Sequence, residues 1–457
     1  MPDVGPLAEL LQIPPEYYEY AVKQSIGTWR ARKKDKERLE REHLKGTVAR
    51  LHKTGVIAAF LYKYYDLDPA ESATLFKLAG WTYPIYVEPN WVGRLEDDRV
   101  LERPLERDEY RIEEEDSFNK AKAEYLDYLK TMERVRYDGQ TFRLIEILSN
   151  DSGFRLRCGP GSYFNYLATC ESLADELVLQ LHQNKVEDKR AFSDHAHVKQ
   201  NVQLFENIKK SLPNRSLFAP TLDKLGRVAG RDSKIGLNIF FALRTADVPV
   251  CFLYHRGKNV AEYPDINHVM PAGTFQHDGR ASLAYDQYDK AYSVKYKVLS
   301  EFWEECFEGK DFQAQRKMLY GGRIDFDEAK IPNQNLCPIV DLLGLLEKRK
   351  AFIYVTGLGL DLLSAKPELT IALIINDESF AKKYHDHWKF NWEFQGFGTE
   401  NQNAGIHICS LNDTKSIRAL LKPGMVIPAG AMAVALGFRL IRQLKAEGQL
   451  EWDVPEL

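Results

Sequence analysis

The sequence predicts an α/β (α+β) protein with an extended mixed sheet, preceded by a charged α-helical N-terminal region. Three features predict it: acidic and basic residues interleaved at helical spacing before residue 46, short β-type runs from residue 136 onward, and an amphipathic helix near the C-terminus. A chain of 457 residues exceeds one ordinary core. The expected division is a helical region at 1–93, a charged linker or helix at 94–135 and an α/β body at 136–457.

In the helical region, Arg30 to Lys45 holds eight basic and four acidic residues, the pattern of a solvated helix face. Val48, Leu51, Val56, Ile57, Phe60, Leu61 and Tyr64 follow as an apolar helical stripe. Asp66 or Asp68 is placed to cap a second helix, with Pro69 near its first position, Glu71 in its first turn and a stop near Gly80. Two helices joined by a short polar turn would form part of a degenerate helix-turn-helix, which would bring in DNA as a partner, although the first 45 residues hold no complete motif. Residues 94–116 work against that partner, because eleven acidic and five basic residues leave a net charge of −6.

In the body, TFRLIEILSNDSGFRLRCG reads as a hairpin turning at Asn150-Asp151-Ser152-Gly153. Gly159-Pro160-Gly161 reads as a turn leading into an amphipathic helix that runs towards Leu181. Strands are expected at 235–242 and 248–255, and again within 351–361 and 369–377. The Gly357-Leu358-Gly359-Leu360-Asp361 stretch reads as a strand-to-loop turn. The last helix, from Gly430, is apolar on one side and basic towards its end, as the helix dipole favours.

Composition narrows function by exclusion. The 62 basic and 66 acidic side chains, net −4, rule out a uniformly basic nucleic-acid coat. No apolar run reaches the ~18 residues of a membrane span, and the N-terminal residues lack a signal-peptide pattern, so a cytoplasmic protein is expected. Six cysteines without a CxxC pair are neither a disulfide framework nor a zinc knuckle. Asp194-His195-Ala196-His197 and His385-Asp386-His387 carry His-x-His spacing, but neither has an identifiable third ligand. Arg215, Arg227, Arg231 and Asp232 are either cleft-lining residues or a polar loop.

The chemically informative stretch is 235–309. After the two strands comes a tight turn at Pro271-Ala272-Gly273, then a helix carrying Glu301, Glu304 and Glu305 at i, i+3 and i+4. Val294, Val298, Leu299, Phe302 and Cys306 form its buried stripe. Carboxylates at that spacing suit Mg²⁺ or Mn²⁺, hard cations that prefer oxygen ligands. A solvated glutamate face is the alternative.

The order Tyr254-His255-Arg256, MPAG, then Ser300-Glu301-Phe302-Trp303-Glu304-Glu305 resembles the Nudix signature, Gly-x5-Glu-x7-Arg-Glu-U-x-Glu-Glu-x-Gly-U, where U is bulky and aliphatic. Over about 140–445 the chain is also similar to bacterial Nudix-like proteins, some named as regulators because a helix-turn-helix precedes this part. The resemblance implies a Nudix-like α/β/α sandwich with its core at about 230–380 and a C-terminal extension. It also implies a pyrophosphohydrolase acting with Mg²⁺ or Mn²⁺ on a nucleoside-diphosphate-type ligand. Glu301, Glu304 and Glu305 would be catalytic metal ligands, and Arg244, Arg256, Gly273 and Gln276 would contact the ligand. Ser300 stands at the signature's arginine, and 26 residues separate it from Gly273. Both departures favour a second reading, a ligand-sensing protein that does not cleave what it binds.

Overall fold

The computed structural model describes residues 47–96, 140–186, 194–219, 233–256, 263–276, 292–307, 337–385 and 405–457, save 49, 151, 152 and 264, with a few single positions besides. The basic run at 30–45 and most of the acidic run at 94–116 lie outside the described residues.

In chain order the elements begin with α1 (Val56–Tyr64), β1 (Leu75–Leu78), β2 (Trp81–Tyr86), β3 (Val92–Glu96), β4 (Gln140–Asn150) and β5 (Gly153–Ser162). Helices α2 (Tyr163–Tyr166) and α3 (Ser172–Gln183) flank a π-helical turn at Leu167–Glu171, and α4 (His195–Gln200), α5 (Val202–Lys210) and α6 (Pro213–Phe218) follow. Strands β6 (Gly236–Arg244), β7 (Pro249–His255), β8 (Asn267–Val269) and β9 (Ala272–Thr274) precede α7 (Val294–Cys306) and α8 (Cys337–Glu347). The chain continues through β10 (Ala351–Asp361), β11 (Pro367–Ile375), α9 (Glu378–Tyr384), β12 (Ile406–Ser410), α10 (Thr414–Leu420) and α11 (Pro428–Ala446).

Ten strands form one mixed, strongly curled sheet in the order β1-β2-β10-β11-β6-β7-β12, with β3 on β10, β8 on β7 and β9 on β6. The one parallel pair among these strands is β11 with β6, running from Glu368 opposite Gly236 to Ile375 opposite Leu243. Strands this central are covered on both faces, which is why β11 is buried throughout and reads as a continuous apolar run from Ile371 to Ile375 instead of an alternating one. Phe240, Ala242, Ala372 and Ile374 face α11, with Met432, Leu436 and Leu440 in the same cluster. Their alternates Ile239, Phe241, Ile371 and Leu373 share the other core with α1, α3 and α7. The α/β expectation with helices on both sides of an extended mixed sheet therefore holds.

Several local expectations hold as well. The hairpin of β4 and β5 turns between Asn150 and Gly153, and every residue of the apolar stripe on α7 is buried. Others are corrected. No second helix follows α1 before residue 80: Leu75–Leu78 and Trp81–Tyr86 pair antiparallel instead. Ala79 and Gly80 both have positive φ, 52° and 81°, as a type I′ hairpin turn requires. Asp68 accepts the Ala70 N–H at 2.9 Å and closes a turn, so it does not cap a helix. The helix-turn-helix is thus absent from residues 56–86. These strands join the body, because β2 and β3 both pair with β10. Gly159-Pro160-Gly161 is strand, paired with Thr141–Arg143, and Gly357–Asp361 lies within β10.

Candidate functional site: a loop–helix junction beside buried cations

Helix α7 begins with Ser293, whose hydroxyl accepts the Tyr296 N–H at 3.1 Å. Lys297, Glu301 and Glu305 then succeed one another at i, i+4 and i+8, so they form one stripe along the helix. That stripe faces β9. The Glu305 Oε2 accepts the Ala272 N–H at 2.9 Å. Glu301 lies directly against Gly273, where a Cβ would come within 2.1 Å of Oε1. A side chain at 273 would expel that carboxylate.

The Glu301 Oε1 is also 2.9 Å from the Lys297 ammonium, with the two side chains only 10% and 3% exposed. An ion pair this dry exerts a strong mutual attraction, offset by the cost of removing both charges from water. Glu304 is turned to the neighbouring stripe, half-buried, and its Oε1 accepts the Ser300 hydroxyl at 3.3 Å. The fold therefore brings the expected loop and helix together, but the three carboxylates do not converge on one point.

Mg²⁺ demands near-octahedral oxygen ligation at about 2.1 Å. Here one carboxylate is neutralised by an ammonium, a second accepts a backbone N–H and the third accepts a serine hydroxyl. Among the described residues no three His, Cys, Asp or Glu side chains gather so as to hold a metal. As arranged, the residues do not fit the expected cation. Asp194 instead caps α4 through the His197 N–H and holds His197 Nδ1 at 2.8 Å; Asp386 and His387 fall outside the described residues.

The other candidate contacts are scattered. Gln276 forms an isolated bridge with Thr141, close to Gly273. Arg244 ends β6 seven residues beyond Leu237, the strand partner of Gly273, and so stands about 23 Å away along the strand. Arg256 donates to the Tyr254 hydroxyl at 2.8 Å, beside the β7–β8 pair. Arg215 is a structural staple: fully buried, it donates to the Tyr65 hydroxyl and to the carbonyls of Leu173, Leu362 and Leu363. Arg227, Arg231 and Asp232 lie outside the described residues.

A group of cations missing from the sequence-level expectation stands at the same end of the sheet. Arg143 on β4 bridges Lys234, which lies just before β6. Lys366 and Lys234 stand two residues before Glu368 and Gly236, the first pair of the parallel ladder between β11 and β6. Both ammoniums approach the Tyr166 ring, Lys234 at 4.2 Å and Lys366 at 6.0 Å from its centroid, and Lys234 also lies 4.7 Å from the Tyr163 centroid. All three cations are buried. Glu368 balances part of this charge: it pairs with Lys366 at 3.2 Å and accepts from Asn238 at 2.8 Å.

The π-helical turn between α2 and α3 presents Glu171, which accepts from the Tyr166 hydroxyl. Such turns recur at functional sites. Nearby, the Asp361 carboxylate accepts from the Tyr263 hydroxyl at 2.9 Å and from Ser364 Oγ at 2.7 Å. Burial pushes the Asp361 carboxyl above the usual range, and its hydrogen bonds oppose that rise. The Tyr263 phenol is pushed well up by burial, and further by the charge of Asp361.

Lys297 is four residues before Glu301 and so was visible as a helix ion-pair spacing. Lys234 and Lys366 become neighbours only through the parallel pairing of strands about 130 positions apart, and no local signal marks that. No protein-family model matches the chain, and no curated protein sequence matches it.

Proposed function

We propose that this chain is a Nudix-like protein that binds a nucleoside-diphosphate-type anion and does not hydrolyse it. The observation that carries the reading is the row of buried cations Arg143, Lys234 and Lys366, on the end of the sheet where Gly273 meets Glu301. Lys234 is three residues from Leu237, the partner of Gly273, a span of about 10 Å along the strand and comparable to a diphosphate with its ester groups. Phosphate oxygens carry negative charge, which cations in a low-dielectric setting attract. Arginine and lysine donors also give phosphate oxygens charge-assisted hydrogen bonds. The engagement of Glu301, Glu304 and Glu305 with Lys297, Ser300 and Ala272 supports binding without turnover.

Calorimetric titration of the full chain with ADP-ribose and a panel of nucleotide sugars, in buffer containing EDTA, tests this. Saturable binding is expected, weakened about tenfold or more in Lys234→Gln and weakened further as salt rises. Absence of binding across the panel removes the nucleotide reading. Nucleotide release at ordinary enzyme rates with Mg²⁺, abolished in Glu304→Gln, would instead restore the hydrolase.

A further inference from the structure

On the face of the sheet opposite α7, the flank of α11 and the β1–β2 hairpin leave a cavity of about 510 Å³ between them. That volume falls within the roughly 300–1,000 Å³ of small-molecule sites. Helix α11 gives it a single stripe: Ala435, Phe438, Arg439 and Arg442 stand at i, i+3, i+4 and i+7 and so share one side of the helix. The small side chain at 435, half-buried in the middle of the helix, leaves room that a larger residue would fill. Phe76 of β1 and Val92 of β3 supply apolar surface, and the Phe76 ring is held against Tyr83 with centroids 5.5 Å apart.

The charged side chains around the cavity are Lys77, Arg439, Arg442, Glu88 and Glu456. Four of them are engaged. Arg442 lies 3.6 Å from Glu456, Glu88 accepts from the Tyr86 hydroxyl, and Lys77 donates to the Ala70 carbonyl at 2.9 Å. Arg439 is exposed and makes no hydrogen bond or ion pair among the described residues. The cavity thus joins apolar walls to one guanidinium whose donors are open to a ligand. A guanidinium meets a carboxylate through two parallel N–H donors.

We infer that this cavity is a binding site for a small amphipathic carboxylate, its aryl or alkyl body against Phe76, Val92 and Ala435 and its carboxylate on Arg439. The apolar body leaves water on entering, and the anionic head chooses acids over neutral molecules of the same shape. The cavity lies away from Gly273 and α7, so binding there stands or falls apart from the nucleotide reading.

Calorimetric titration of the full chain with 2-naphthoate, and with 2-naphthalenemethanol as its neutral counterpart, tests the site. Saturable binding of the acid is expected, at least about tenfold tighter than that of the alcohol. Arg439→Gln is expected to weaken the acid about tenfold and to erase its preference over the alcohol, with Arg439→Lys recovering part of it. Ala435→Phe, which fills the cavity, is expected to abolish binding of both. No saturable binding at millimolar 2-naphthoate overturns the inference, as does equal binding of acid and alcohol. Undiminished binding of the acid in Arg439→Gln overturns it too, a result readable even where Ala435→Phe does not fold, because Arg439 is a surface residue.

Discussion

Arg215 and His52 show how differently a buried polar side chain can be kept. Arg215 has four hydrogen-bond acceptors, among them the carbonyls of Leu362 and Leu363 at the β10–β11 connection and that of Leu173 on α3. Arg215→Met leaves those acceptors without their donor and is expected to cost about 3 kcal/mol in urea unfolding. A loss below about 1 kcal/mol would show that water replaces the guanidinium. His52 is instead kept neutral. Its ring packs at a tilt against Tyr263, centroids 4.9 Å apart, its Nε2 has no hydrogen bond among the described residues, and burial lowers its pKa to about 4. Between pH 6.5 and 4 the unfolded chain takes up a proton that the folded chain refuses, so this contribution is present above pH 6.5 and is lost as pH falls. The loss approaches about 3 kcal/mol at pH 4. Urea midpoints measured from pH 7 to 4.5 should therefore fall more steeply for wild type than for His52→Phe. Parallel curves would assign the acid sensitivity to other groups.

Helix α7 was legible because amphipathic spacing is a local property, carried by residues within one or two turns of each other. The β1–β2 hairpin was misread for a related reason: Asp68, Pro69 and Glu71 satisfy helix-start chemistry, yet the positive φ at both Ala79 and Gly80 and pairing with β10 outweigh it. Propensity is a weak prior when a strand can complete a sheet. Helix α11 illustrates the opposite dependence. Gly437 sits mid-helix, where glycine is normally unfavourable, because a Cβ there would come within 2.1 Å of the Phe240 ring. Gly437→Ala gains helix propensity but drives the helix off the sheet; a net loss of about 1–3 kcal/mol is expected from thermal unfolding. A gain would mean that Phe240 moves aside at little cost.

Across the molecule, the sheet joins segments that composition separates. Strands β1–β3 lie in the region expected to be independent and helical, yet they complete the edge beside β10, and α1 is part of the main core. The C-terminal segment closes the body in a similar way, with the Trp452 indole donating to Asn376 Oδ1 at 2.8 Å beyond the end of β11. Expression of residues 136–457 alone is accordingly expected to yield no cooperative unfolding transition by circular dichroism; a sharp transition would establish the body as an autonomous domain. Among the described residues no helix is long and apolar enough to cross a membrane. From sequence, the α/β class, the β4–β5 hairpin, the central strands and the glutamate helix could all be read, because each depends on neighbours a few residues away. Tertiary structure alone decided that the Lys297–Glu301 pair lies in the dry interior, that Arg143, Lys234 and Lys366 share one end of the sheet, and that the segment expected as a second helix is a hairpin. Those outcomes depend on burial and on strand register between distant segments, and a one-dimensional pattern encodes neither.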